Sequence, residues 1–298
     1  MHAIAMSVVV PTRDRPAALE RCLAALARQT APGLEIIVVD DGSRDPAAVR
    51  TVVARTAPAA RLIRGRGEGP AAARNIGVRA ATGAVVCFTD DDCMPQPDWA
   101  QLLAAACATN GAAAGTTRAD EAAGSAAAAS QLITHLLTVT SLDAAHGGLG
   151  FAPSCNLGCA APLARRLPFD PSFPRAAGED RDWCARLGHA GATLRFVPDA
   201  VVLHRPQLGL RSLLRQQRRY GRGAVLYRTG GDERRLAGAL FYRRLACEAT
   251  RAGAGIAALT VLAQVGIAAG ALQELALRLA RGEKAASTRR AAGAATSS

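Results

Sequence analysis

Short apolar runs alternate with amphipathic stretches through the first ninety residues. Ser7–Val10, Glu35–Val39, Arg61–Ile63 and Ala84–Phe88 are apolar or β-branched segments bounded by polar clusters, the pattern of buried strands. Between the first two, Leu19, Cys22, Leu23 and Leu26 fall at i, i+3, i+4 and i+7, the stripe of a helix with one buried face. Ala47–Arg55 and Ala71–Ala81 continue as helices, the latter opened by the glycine-rich Arg64–Pro70. Strand and helix in alternation predict an α/β fold, Rossmann-like, with a mostly parallel sheet covered on both faces. Ligands in such folds lie beyond the carboxyl ends of the strands. The polar clusters Thr12–Arg15, Asp40–Ser43 and Asp90–Asp92 all follow strand ends, so they are expected to converge on one cleft.

Beyond residue 93 the pattern is less regular. Pro97–Ala108 and Asp182–Leu187 read as helices, Gly147–Pro153 as a loop, and Thr193–Val202 as a strand pair or one extended segment. There is no internal repeat. Half of the 298 residues are apolar and a fifth are charged, a globular composition. Eight cysteines carry no CxxC pair, and several sit inside apolar runs, so a reduced, cytoplasmic protein is expected. Met1–Ser7 lacks the pattern of a signal peptide.

Charge divides the chain. Basic and acidic residues balance through His204, and the whole excess of +12 lies in the last 94 residues. That division suggests chemistry in front and attachment to an anionic surface behind.

Three adjacent carboxylates, Asp90, Asp91 and Asp92, repel one another unless a cation lies between them. A hard divalent ion takes oxygen ligands and completes its shell with phosphates, so Asp90-x-Asp92, a DxD motif, reads as a metal–diphosphate site. A solvated acidic turn is the plainer reading. Asp41 is acceptor-only and suits the imide N–H of a uracil-type base, which Pro11 and Arg13 would flank; a simple Asx turn is the alternative.

Val-Val-Val-Pro11-Thr-Arg, Val-Val-Asp40-Asp41-Gly-Ser, Ala-Ala-Arg74-Asn75-Ile-Gly, Phe-Thr-Asp90-Asp91-Asp92 and Gly-Glu179-Asp180-Arg-Asp182-Trp occur in this order. They resemble the successive blocks of glycosyltransferase family 2, inverting enzymes of the GT-A fold, over about Met6 to His204. The resemblance implies transfer of a sugar from a nucleotide-diphosphate donor, a UDP-sugar by preference, to an acceptor hydroxyl, with Mn²⁺ or Mg²⁺ as cofactor. It implies that Pro11, Arg13, Asp41, Arg74, Asp90 and Asp91 hold the donor, and that Asp92, Asp90 and His204 hold the metal. Asp180 would be the base, oriented by Glu179, and Asn156 would line the acceptor pocket. His204 follows Asp180 by 24 positions, as a metal-ligating histidine does in many members; a rim residue is the alternative. Asp182 reads as a helix-dipole partner.

Residues 1–205 are therefore expected to form the GT-A domain and 206–281 a basic, apolar helical region associated with a membrane. Residues 282–298 are expected to be a disordered tail. Arg211, Arg215, Arg218 and Arg222 make one helical stripe suited to anionic lipid. Gln216-x-x-Arg219-Tyr220 faintly resembles a Gln-x-x-Arg-Trp motif of processive polysaccharide synthases, with tyrosine for tryptophan. Ala252–Gln273 has no charge over 22 residues, long enough to span a bilayer or to pack as an in-plane helix. The acceptor is expected to be lipid-linked or part of the cell envelope, reached from the inner face of the cell membrane. Two other functions compete with this one. A nucleotidyltransferase would need a glycine-rich loop after the first strand, and Pro11–Pro16 has none. A nucleic-acid-binding protein would need basic residues interleaved with stacking aromatics, which the tail lacks, so no nucleic-acid partner is expected.

Overall fold

The computed structural model describes residues 5–143, 145–173, 177–228 and 238–281. The expected tail, 282–298, lies outside them. In chain order the elements are β1 (Met6–Thr12), α1 (Pro16–Leu26), β2 (Glu35–Asp40), α2 (Pro46–Thr56), β3 (Arg61–Arg64), α3 (Pro70–Ala80), β4 (Val85–Phe88), β5 (Cys93–Pro95), α4 (Trp99–Asn110) and β6 (Gly111–Ala119). Then follow α5 (Gly124–Val139), β7 (Leu142–Asp143), β8 (Gly148–Leu149), β9 (Leu157–Ala160), α6 (Ala161–Arg166), α7 (Glu179–His189), β10 (Thr193–His204), α8 (Leu210–Arg228), α9 (Ala239–Arg251) and α10 (Ala254–Ala280).

The strands form one sheet in the order β3-β2-β1-β4-β9-β6-β10-β8-β7, with β5 pairing on β10. β3, β2, β1 and β4 run parallel. β9 is antiparallel to both β4 and β6, and β10 runs parallel to β6. β1, β2, β4 and β10 therefore share a direction, and their carboxyl ends open on one edge. Alternation along β1 explains the two cores: Val8 and Val10 pack with Leu19, Leu23 and Trp99 on one face. Val9 packs with Ile37, Phe88 and Trp183 on the other. This is the mixed, mostly parallel α/β sheet expected from the alternating pattern.

One detail settles an alternative and two differ from the expectation. Thr193–Val202 is part of one strand reaching His204, with a register irregularity between Val197 and Val201. The expected loop at Gly147–Pro153 contains the short β8, paired with β10. Helix α7 begins at Glu179, three residues earlier than its apolar pattern suggests, because the acidic Glu179, Asp180 and Asp182 occupy its first turn. Acids are favoured there by the helix dipole but carry no hydrophobic signal.

Aromatic packing fixes that turn. Trp183 stacks on Phe169 at 4.8 Å, and both meet the edge of Phe88, two residues before Asp90. Trp183 Nε1 also donates to the Leu167 carbonyl at 2.6 Å. The start of α7 is thereby pinned to the end of β4.

Asn156 is fully buried rather than lining an acceptor pocket. Its Oδ1 accepts from Trp99 Nε1 at 2.8 Å, and its Nδ2 donates to the Ala200 carbonyl at 3.1 Å. Both ends of the amide are used inside the core, joining α4 to β10.

The C-terminal helices pack on the body. α8 and α10 run side by side so closely that a Cβ on Gly221 would lie 1.9 Å from the Ile267 carbonyl, and one on Gly270 1.9 Å from the Arg218 carbonyl. Ile133 and Leu136 of α5, Phe241 and Leu245 of α9 and Ala263 of α10 form a third core. The expected arginine stripe is split: Arg218 donates to Gln273 at 2.9 Å, and Arg222 pairs with the buried Glu274 at 2.8 Å. The physical reason is that α10 supplies acceptors facing α8.

Asn156→Ala should lower the unfolding free energy by about 2–4 kcal/mol, because Trp99 Nε1 and the Ala200 carbonyl are left buried without partners. Denaturant titration measures this; unchanged stability with lowered substrate affinity would return Asn156 to the substrate side.

Candidate functional site

The cleft at the strand ends is a network of paired charges. Asp14, with φ of 56°, turns the chain sharply out of β1. Its bend directs Arg15 onto the acidic triplet, Nη2 meeting Asp91 Oδ1 at 2.8 Å and Nη1 meeting Asp92 Oδ2 at 2.7 Å. Part of the repulsion within the triplet is thus met by a guanidinium. Arg15 stands in the polar cluster after β1, but nothing in the sequence pattern marks it as the partner of the triplet.

The three carboxylates have different surroundings. Asp91, expected beside the donor, is fully buried and accepts from Thr12 Oγ1 at 2.7 Å. Burial pushes its pKa up to about 7 against the pull of Arg15. It anchors the turn from below and presents nothing to the cleft. Asp90 stays partly open and accepts from Arg74 Nη2 at 2.8 Å. Asp92 is held well below the usual carboxylate range: burial works against ionisation, but His204 and Arg15 outweigh it.

His204, at the end of β10, places Nε2 3.4 Å from Asp92 Oδ1. Its Nδ1 bonds Gln131 Oε1 at 2.9 Å, and Gln131 Nε2 donates to the Thr117 carbonyl at 3.0 Å. Because that amide's N–H₂ is committed to a carbonyl, its oxygen faces the ring, so Nδ1 carries the hydrogen and Nε2 faces Asp92. Burial disfavours the charged imidazole, yet Asp92 raises its pKa to about 9. A carboxylate oxygen and an oriented imidazole nitrogen facing each other fit a divalent cation, and the buried Gln131 is the kind of outer partner that ligating histidines have.

Arg74 is buried between two acids. Beyond Asp90 it reaches Glu179 Oε1 at 3.4 Å and lies over the Phe169 ring at 5.6 Å. Expected to contact the donor, it instead spends its charge within the protein. Glu179 is buried with Oε2 unpartnered, and burial, reinforced by Asp180, pushes its pKa up to about 7. Asp180 is half-buried, and burial raises its pKa as well. Asp182 pairs with Arg186 at 2.7 Å, away from this network. Tyr220 of α8, 37% exposed overall, joins from the C-terminal side, where desolvation of its hydroxyl and the charges of Asp180 and Glu179 raise the pKa.

The Asp41 carboxylate is largely committed. Its Oδ1 accepts from the Gly67 and Glu68 amides at 3.0 and 3.1 Å, and Oδ2 from the Gly69 amide at 2.8 Å. It folds the glycine-rich loop beside β2 and is nearly buried. Pro11 is buried in β1, while the exposed Arg13 reaches over the loop to the Gly67 carbonyl at 3.4 Å. Pro11, Arg13 and Asp41 thus share one corner, and Asp90, Asp92, His204, Arg74, Glu179 and Asp180 the adjoining one. Asn156 lies apart in the core.

The description "Glycosyl transferase family 2" matches residues 7–156, and "Glycosyl transferase family group 2" matches residues 85–277. The pre-mycofactocin glycosyltransferase of Mycobacterium tuberculosis is 30% identical over 230 residues, covering 74% of this chain and 47% of its own length. The chain therefore spans about half of that relative. The glycosyltransferase AglE of Haloferax volcanii is 27% identical over 228 residues, with 74% and 73% covered. Among solved structures, a mannosyltransferase of Pyrobaculum calidifontis in complex with GDP-Man and Mn²⁺ aligns with a TM-score of 0.56 at 25% identity, covering 95% of this chain and 80% of its own. TarS of S. aureus in complex with UDP aligns at 0.53 and 18% identity, covering 82% and 70%, a likeness of fold alone. With the GT-A arrangement of the sheet and the matched blocks together, the chain belongs to glycosyltransferase family 2.

Proposed function

We propose that the protein transfers a sugar with inversion from a nucleoside diphosphate sugar, a UDP-sugar by preference, to the hydroxyl of a lipid-linked or envelope acceptor. One observation carries the reading: Arg74 joins Asp90, at the donor strand, to Glu179, the neighbour of Asp180, within a single cleft. Asp180 takes the proton of the acceptor hydroxyl as its oxygen attacks the anomeric carbon and the bond to the diphosphate breaks. A carboxylate with a raised pKa is the stronger base for that transfer. Glu179, tethered by Arg74, holds the first turn of α7, and Tyr220 forms the acceptor-side wall. Asp92 and His204 are the residues to hold Mn²⁺ or Mg²⁺, with Asp90 on the open side. Such an ion supplies charge neutralisation to the leaving diphosphate. The GDP-Man and Mn²⁺ bound to the Pyrobaculum mannosyltransferase support a donor and a divalent ion of this class.

The same proposal places the protein at the cytoplasmic face of a membrane. Among the described residues, α10 is the one helix long and apolar enough to cross a bilayer. Its inner face is engaged with α8, while Val261, Val265, Leu272 and Leu279 are 64%, 58%, 68% and 78% exposed. Exposed Arg211, Arg215 and Arg219 lie on α8 beside it. One committed face and one bare apolar face suit a helix lying in the interface, with arginines meeting anionic headgroups.

Asp180→Asn should reduce turnover by about 10²–10⁴-fold with little change in Mn²⁺-dependent UDP binding. Because the base must be ionised and its pKa is raised, kcat/KM should fall with decreasing pH at a value above the ordinary aspartate range of about 3.9. Isothermal titration and a pH–rate profile check both; full turnover in the variant would remove Asp180 from the chemistry. Floated with vesicles containing phosphatidylserine, the protein should bind, and Leu272→Gln with Leu279→Gln should weaken partitioning by about tenfold or more. Equal flotation of the double variant would count against the interfacial helix.

A further inference from the structure

Behind the acidic triplet lies a thiol that the transfer reaction does not use. Cys93 is fully buried and follows Asp92 directly. It stands opposite His204 in the antiparallel register of β5 and β10, so both side chains project from the same face of the sheet. Cys93 Sγ lies 3.9 Å from Asp92 Oδ1, and His204 Nε2 lies 3.4 Å from that same oxygen. The three atoms fall within 4.8 Å of one another. Arg15 takes the other oxygen of Asp92, so Oδ1 is the one left for this group.

The 3.4 Å and 3.9 Å separations are near those of a coordination shell, and an ion would draw the third pair, within 4.8 Å, closer together. In a tetrahedral zinc site, ligand atoms at bond lengths of about 2.0–2.3 Å stand roughly 3.3–3.6 Å apart. The imidazole is already oriented by Gln131, which leaves Nε2 facing the other two donors. Hardness then separates the cations. Mn²⁺ and Mg²⁺ prefer oxygen and have little use for sulfur, whereas a thiolate draws Zn²⁺, Co²⁺ or Cd²⁺.

We propose that Asp92, Cys93 and His204 form a carboxylate–thiolate–imidazole site for a borderline or soft divalent cation. Such an ion is held by three protein ligands without needing a nucleotide. Binding replaces the Cys93 thiol proton and any proton on His204 Nε2, which leave to solvent, and no electrons are transferred. Because two of the ligands are those proposed for Mn²⁺, the thiophilic ion excludes it and acts as an inhibitor. The inference rests on the reading of Asp92 and His204 as metal ligands, but sulfur ligation has a signature of its own.

The test uses the full chain carrying Cys247→Ser, which removes the exposed cysteine. Titration with Co²⁺ should produce a sulfur-to-cobalt charge-transfer band saturating at one equivalent. Zn²⁺ should abolish the band and release bound Mn²⁺, followed by the free-ion electron paramagnetic resonance signal. Cys93→Ser and Cys93→Ala should lose the band and more than about tenfold in Co²⁺ affinity, while Mn²⁺ affinity with UDP changes by less than about threefold. Circular dichroism checks that at least one variant is folded. No band in the parent protein, or a band that survives in the folded Cys93 variants, overturns the proposal. Absence of the band with Mn²⁺–UDP binding intact overturns the thiolate site alone. A band without Mn²⁺–UDP binding keeps the site and overturns the donor reading instead.

Discussion

Arg74 carries a full positive charge in a place that water barely reaches, and that charge is stable there only because Asp90 and Glu179 lie on either side of it. Removing one partner from such a buried arrangement typically costs about 3–5 kcal/mol, since the remaining charge has nowhere to discharge its field. The constraint is geometric as well as energetic. Asp90 follows β4, Glu179 opens α7, and Arg74 sits on α3, so a single guanidinium sets the distance between three elements. The stacked Phe169 and Trp183, with Phe88 at their edges, hold the same elements from the apolar side. A base that must meet an anomeric carbon within hydrogen-bond reach gains from a frame this rigid.

The acidic triplet shows how neighbouring identical residues take different tasks. Asp91 points into the protein and bonds Thr12, Asp92 faces Arg15 and His204, and Asp90 keeps to the cleft with Arg74. Two guanidiniums and an imidazole thus share the work of offsetting three negative charges. Asp41 follows a similar logic in the adjoining corner, where three backbone amides occupy its oxygens and shape the glycine-rich loop.

The C-terminal helices serve two surfaces at once. Ser130 of α5 accepts from Gln217 at 2.9 Å and donates to Gln216 at 3.0 Å, which fixes α8 against the body and brings Tyr220 toward Asp180. On the far side α10 leaves an uncharged face open. The close approach of α8 and α10 through Gly221 and Gly270 ties these two surfaces together, because neither helix has room to shift alone.

The order of strands and helices through Phe88, the covering of the sheet on both faces and the clustering of polar residues at strand ends were legible in the sequence. Period-2 and period-3.6 patterns follow from which side of an element meets water, and that is a local property. The carboxylates of the cleft were legible too, since three adjacent acids after a buried strand are costly without a purpose. What only the tertiary structure decided was the partner of each charge. Arg15 on Asp92, Arg74 between Asp90 and Glu179, Gln131 behind His204, Cys93 opposite His204 and the burial of Asn156 all join residues distant in the chain. Gln131 left a trace, as a polar residue in an uncharged run, but its target did not. Coulomb energy and hydrogen bonding depend on distance in space, and a one-dimensional pattern records which side chains are polar without recording which of them the fold brings together.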